Sequence, residues 1–222
     1  MISFNDVSTK CFDSLSFKLP EGEVCKVLAR SDYDVRVFID TLLFLSKPLS
    51  GEVLLFDENM ASLTEYEQIN RFKRVGMVWG SGGLVSNLKV RGNVFLPLAY
   101  HKGERPENAE ERVEALFLKM GFERESLAEY MGKLPGTLPL HEKKLIGLIR
   151  AMLSEPELVI YESLFDGLGL RQANELLNIT SEFHSREKMR TSIYISSDED
   201  ALSRVKATVS LKQMGKEFLI WD

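Results

Sequence analysis

The sequence predicts an α/β domain, with a mostly parallel sheet covered by helices on both faces, an antiparallel part and a helical insert. Two observations carry this expectation. Short apolar runs such as "ELVIY" and "TSIYIS" alternate with segments of helical period, the pattern of strands connected through helices. The first two apolar runs, by contrast, follow each other closely enough to form a hairpin, which adds the antiparallel part.

In order along the chain, strands are expected at Ile2 to Val7, Leu15 to Leu19 and Glu23 to Leu28, with Gly22 in "LPEGE" supplying the turn between the last two. From Tyr33 to Ser46 the period changes. Val35, Phe38, Ile39, Leu42, Leu43 and Leu45 follow helical spacing, and "KPLSGE" ends the helix. "GEVLLF" then reads as a strand, "SLTEYEQINRFKR" as a helix and "RVGMVW" as a strand. Residues 80–135 open on "GSGG" and continue through "NLKVRGNVFLPLAY" into charged segments around "ENAEERVEALFLKMGF" and "ESLAEYM", which read as the helical insert. A helix at "LHEKKLIGLIRAML", the buried strand "ELVIY", a helix from Leu170 to His184, the strand "TSIYIS" and the closing hairpin "ATVSLKQMGKEFLIWD" complete a single domain over 1–222. Its core is built from 1–79 and 136–222.

Bulk properties narrow the functional classes. The 222 residues are enough for a substantial core, and 44% hydrophobic with 27% charged residues is ordinary for a globular protein. A net charge of −5 argues against nucleic acid as the main partner, which normally leaves a basic footprint. Cys11 and Cys25 form neither a disulfide framework nor a metal-ligand spacing, and Cys25 reads as a buried, inert thiol. The N-terminus lacks the apolar core of a signal peptide, and no apolar run reaches the roughly 18 residues of a membrane span. Any membrane association is therefore expected to go through a partner. His101, His141 and His184 lack ligand spacing and are read as surface residues.

Four stretches carry a resemblance to a known family. "PEGEVCKVL" and "KPLSGEVLLFDENMASL" bracket a strand, a turn and a helix; "KRVGMVWGSGGLVSNLKVRGNVFLPL" contains a small "SGGL" turn; "LHEKKLIGLIRAMLSEPELVIYESLFDGLG" joins a helix, a strand and a turn without a gap; "IYISSDEDAL" ends the next strand. In this order they resemble an ABC-transporter ATPase subunit of the P-loop class over essentially the whole chain. The nearest likeness is to the ATPase subunits of Mla/MCE-type lipid transporters.

Position by position, the resemblance implies lost chemistry. A phosphate loop needs glycines, whose backbone can aim N–H groups at phosphate, followed by a lysine and a hydroxyl that binds magnesium. The matching positions hold Ala29, Asp32, Asp34, Val35 and Arg36, and Asp32 is expected to act as a helix N-cap. The glutamine position is Gly80, and the signature segment is Leu138, Pro139, Leu140, His141 and Glu142. Glu162 stands at the magnesium-binding aspartate, a possible residual metal ligand. Ser163 stands at the catalytic glutamate, Leu164 at the following proline, Gly169 at the D-loop aspartate and Ser197 at the switch histidine. A gapped register would make Glu162 the catalytic carboxylate and Tyr161 the metal ligand, and in either register one carboxylate is missing. The turn from Ser8 to Phe12 is about five residues shorter than the family pattern, which removes the adenine-stacking aromatic.

The resemblance thus implies a catalytically inactive pseudo-ATPase with no cofactor, partnered by a membrane permease and a second cassette subunit as a homodimer or heterodimer. ATP and magnesium enter only if an atypical, active ATPase survives around Glu162. A soluble regulatory adaptor is a third reading. Trp79, Leu84, Val85, Leu88, Phe95 and Leu96 lie in the region that receives a permease helix in this family. Most are expected to be core and a few to line a groove for an apolar helix face. Ending at Asp222, the sequence is read as lacking a C-terminal regulatory domain.

Overall fold

The computed structural model describes residues 1–98 and 108–221. His101 and the end of "NLKVRGNVFLPLAY" lie outside the described residues. The element order is β1 (Ile2–Ser8), β2 (Leu15–Leu19), β3 (Val24–Leu28), α1 (Asp32–Leu42), β4 (Ser50–Leu55), β5 (Glu58–Asn59), α2 (Glu65–Phe72), β6 (Val75–Val78), α3 (Val90–Pro97), α4 (Glu110–Lys119), α5 (Arg124–Met131), α6 (Leu140–Leu153), β7 (Leu158–Glu162), α7 (Leu170–Ser185), β8 (Thr191–Ser196), α8 (Glu199–Leu202), β9 (Val209–Met214) and β10 (Glu217–Ile220).

Two sheets result. A four-stranded antiparallel sheet has the order β2-β1-β4-β5, and a six-stranded sheet has the order β10-β9-β3-β8-β7-β6. In the second, β9, β3, β8, β7 and β6 are parallel and only β10 turns back. The parallel strands are apolar on both faces, as burial under two layers requires. Cys25, Val27, Ile160, Ile193 and Ile195 enter the core shared with α1 and the antiparallel sheet. Leu28, Val159, Tyr161 and Tyr194 enter the core shared with α6, α7 and the insert. Phe38 of α1 is the hub of the first core, its ring 5.4 Å from Phe4, 5.9 Å from Phe218 and 6.3 Å from both Phe12 and Phe17.

The fold departs from the sequence reading in local details, each with a physical cause. Helix α1 stops at Leu42, four residues before the expected Ser46, because Phe44 takes a left-handed backbone (φ 54°). Leu45 and Ser46 then both donate to the Asp40 carbonyl, a closure normally signalled by glycine. Helix α2 starts later than expected, at Glu65, because Thr64 and Glu67 form a reciprocal capping box. The two-residue β5 and four-residue α8 carry too little period to be read in advance. Both cysteines are buried, and burial pushes the Cys11 thiol up to about 11 and the Cys25 thiol to about 12. Among the described residues, no helix is long and apolar enough to cross a membrane.

Candidate functional site

The carboxyl ends of β3, β7 and β8 and the turn after β6 converge on one region, the usual place for a site on a parallel sheet. Only three residues, Ala29, Arg30 and Ser31, separate β3 from α1. The N-cap is Ser31, not the expected Asp32: its hydroxyl accepts the Asp34 N–H at 3.2 Å, leaving Asp32 as the first helical residue. The expectation failed because both residue types cap well, and the chain enters the helix one residue earlier.

Several backbone donors around this turn are spent internally. Ala29 N–H bonds the Ser196 carbonyl at 2.9 Å, Arg30 N–H the Gln213 Oε1 at 3.3 Å, and Val35 N–H the Ser31 carbonyl at 2.9 Å. Asp34 is 4% exposed, and its carboxylate accepts from Ser31 Oγ at 3.1 Å and from Arg30 at 3.2 and 3.4 Å. Val35 is buried in the core. Arg36 bonds Asp40 at 3.0 Å and lies 5.0 Å from the centre of the Trp79 ring.

The structure brings several sequence-predicted positions together. Ser197 Oγ donates to Asp32 Oδ1 at 2.6 Å, and Gly80 N–H donates to Glu162 Oε2 at 3.1 Å. A Cβ on Gly80 would stand 3.0 Å from that of Ser163, so this contact leaves no room for the glutamine side chain of the family pattern without a shift. Ser163 itself adopts φ 43°, and its N–H bonds the Ile195 carbonyl at 2.8 Å. The signature positions are tied elsewhere. Leu138 is buried, exposed Pro139 caps α6 without a side-chain bond, Leu140 is exposed, and half-buried Glu142 accepts the Tyr130 hydroxyl at 2.9 Å. His141 is half-buried, as is His184, whose Nδ1 lies 3.0 Å from Ser192 Oγ.

Three functional-looking side chains escaped the sequence reading. Lys144, 1% exposed, donates to the carbonyls of Ser163 at 2.9 Å, Leu164 at 3.1 Å and Asp166 at 2.6 Å, and burial pushes its amine down to about 8. Asp166 accepts the Ser196 hydroxyl at 2.8 and 2.9 Å, and Arg150 donates to the Gly83 carbonyl at 2.8 Å. Helical phasing could have found Lys144, which shares the inner face of α6 with Gly147, Leu148 and Ala151. Burial also raises the carboxyl groups of Glu162 and Asp166 above the ordinary range. Among the described residues, no group of three or more His, Cys, Asp or Glu side chains is placed to hold a metal.

A raised carboxyl binds protons in the folded chain before the unfolded one, so ionised Glu162 costs stability at neutral pH and that cost fades as pH falls. Glu162→Gln keeps an acceptor for Gly80 and removes the charge. Thermal unfolding is expected to show it as stable as the parent or more so at pH 7, by about 1 kcal/mol or less given its partial exposure, with the gap closing toward pH 5. A loss of stability at pH 7 would instead make the carboxylate a needed partner of Arg36.

The turn 79–89 is pinned against α6. A Cβ on Gly82 would fall 2.5 Å from the Lys143 carbonyl oxygen, and one on Gly147 would fall 2.6 Å from that of Gly82, which explains the small residues of "SGGL". Asn93, fully buried, holds the turn by accepting the Val85 N–H at 2.7 Å and donating to the carbonyls of Val85 and Leu88 at 3.0 and 2.9 Å. Of the apolar residues here, Val85 is exposed, Trp79, Leu84, Leu88 and Leu96 are half-buried, and Phe95 is 5% exposed. Phe95 therefore belongs chiefly to the core. Its edge, with Arg91, Leu127 and Met131, lines a groove of about 500 Å³ between α3, α4 and α5.

This architecture is that of an ATP-binding cassette ATPase domain. The chain superimposes on the dimeric post-hydrolysis state of the ATP-binding cassette MJ0796 bound to ADP and phosphate with a TM-score of 0.81 and 15% identity, over 99% of this chain and 98% of that one. On cbiO1 from Clostridium perfringens, part of the ABC transporter complex cbiONQ, the TM-score is 0.80 with 15% identity, over 98% of this chain and 86% of that one. No protein-family model matches the chain. By sequence it is similar to the methionine import ATP-binding protein MetN of Histophilus somni, at 24% identity over 92% of this chain and 57% of that protein. It is also similar to MetN 1 of Bacillus thuringiensis subsp. konkukian, at 25% identity over 97% of this chain and 64% of that protein. The chain thus spans less than two thirds of the length of these relatives. Their names give no support to the lipid-transporter branch expected from the sequence.

Proposed function

We propose that this chain is a nucleotide-independent cassette subunit of an ABC-type transporter, docked on a membrane permease at the cytoplasmic face and paired with a second cassette subunit. The observation that carries this reading is the turn after β3, where α1 begins at Asp32 and Ala29, Arg30, Asp34 and Val35 all spend their N–H groups inside the protein. These residues do not fit a magnesium-bound triphosphate. The cradle lacks glycine and lysine, two carboxylates occupy it, and no hydroxyl stands at Arg36. Ser163 cannot polarise water as a carboxylate would. What remains is a scaffold with a permease-facing groove and the exposed apolar edge at Val85.

Two features bear on the cargo. The "SGGL" turn favours a lipid or MCE-type complex, whereas the relatives carry methionine-import names. The competing reading, an active ATPase with rebuilt chemistry at Glu162, draws its support from those ATP-binding relatives. Tagged purification from native membranes tests the docking. A polytopic membrane protein is expected to come down with the chain, and recovery solely as a soluble dimer would defeat the proposal.

A further inference from the structure

We propose that the recess between α7, the start of β3 and the segment 204–206 is a binding site for a small organic carboxylate with an apolar body. It is separate from the cassette site and does not rest on the function proposed above. The recess has a volume of about 380 Å³, at the small end of the range for ligand pockets. Its apolar lining comes from Val24, Leu177, Val205 and Tyr194, and Arg204 and Lys206 also border it.

Arg204 is the reason to expect an anion. Its side chain is half-buried, and its Nε is shielded from solvent with no hydrogen-bond partner. Among the described residues, Arg204 makes no hydrogen bond, ion pair or ring contact. The covered Nε is left without an acceptor, a cost that a carboxylate reaching the Arg204 guanidinium from the recess would lift. The other buried or half-buried arginines among the described residues behave differently: Arg190 is satisfied by the Pro156 and Phe183 carbonyls and Glu155, Arg150 by Gly83, Arg74 by Glu157 and Arg71 by Glu58.

The chemistry of the walls selects the class. A planar guanidinium fork matches a carboxylate, and the apolar lining asks for a hydrocarbon body rather than a hydrated ion. His184 and Ser185 bring the last turn of α7, the negative end of its dipole, to the recess, which opposes a dianion such as phosphate more than a monoanion. His184 is held below its ordinary range by burial and by Arg190, against smaller opposing effects of the Gly22 backbone and Glu23, so it adds little positive charge near neutral pH.

Hexanoate is the probe. Calorimetric titration of the intact chain is expected to give saturable binding with a Kd of about 1–20 mM, in line with so small a ligand. Hexanol and inorganic phosphate should each bind at least about tenfold more weakly. Arg204→Met should weaken hexanoate about 10- to 100-fold, while Lys206→Ala, at the exposed edge, should cost only a few-fold. Without ligand, Arg204→Met should unfold at the same temperature or higher, because an unpartnered charge is replaced by an apolar chain of similar size. The proposal is overturned by absent saturation, by phosphate or hexanol binding as tightly as hexanoate, by undiminished binding in Arg204→Met, or by a markedly destabilised Arg204→Met in ligand-free buffer.

Discussion

Titrated with ATP and magnesium, the protein is expected to show no magnesium-dependent binding below about 1 mM and no ATP hydrolysis above background. A phosphate loop gains its affinity from charge-assisted hydrogen bonds worth about 1.5–3 kcal/mol each. Losing three of them at about 2 kcal/mol apiece removes about 6 kcal/mol, roughly four decades, so a micromolar site becomes one of about 10 mM. The carboxylate of Asp32 adds repulsion, since it lies at the start of α1 where a phosphate group would sit. Single-residue repair should also fail. Val35→Lys places an amine at a position 1% exposed, beside an Asp34 N–H already bonded to Ser31. Equilibrium dialysis with labelled ATP settles the matter, and a magnesium-dependent dissociation constant in the micromolar range would return the chain to the active ATPases.

Replacing Phe38 by alanine is expected to cost about 3–5 kcal/mol, a large share of the roughly 5–15 kcal/mol that holds a domain together. Phe38 is 1% exposed and, among the described residues, is the one ring that touches Phe4, Phe12, Phe17 and Phe218 together. It therefore joins strands of both sheets to α1. Relief by collapse is limited to the side where Phe17 and Phe218 border an open groove of about 660 Å³, because Phe4 and Phe12 are buried and cannot follow. Phe38→Leu keeps most of the volume and should cost less than half as much. Urea unfolding measures both. A drop below about 1.5 kcal/mol for alanine would mean that the two sheets are joined mainly elsewhere.

The architecture was legible from the sequence because its signals are periodic. Helix α6 lies where "LHEKKLIGLIRAML" placed it, and β2 and β8 match their expected limits. What stayed hidden was decided by single contacts between distant segments. That Ser31 rather than Asp32 caps α1, and that Phe44 ends it, depends on backbone angles that these residue types do not announce. Lys144 stands among apolar neighbours, but its three carbonyl acceptors lie 19 to 22 residues away and come near only once β7 and the following turn are in place. Arg204 is more obscure still, since its meaning lies in the partner that the fold withholds from it. The residue types at the turn after β3 stand in the sequence itself, whereas the hydrogen bonds that tie them together do not.

The neighbours of β3 have a consequence for how the chain is made. Strand β3, complete by Leu28, lies between β8 and β9, so both of its partners are translated more than 160 residues later. Arg30 waits even longer for the side chain of Gln213, which also reaches back to the Cys11 carbonyl. Early on the ribosome, the antiparallel hairpin and α1 can gather their phenylalanines, but the central strand keeps both edges open. Such late closure marks slow folding and prolonged exposure of unpaired β-strand edges. A nascent chain of this order is expected to keep the edges of β3 unpaired until its final strands emerge.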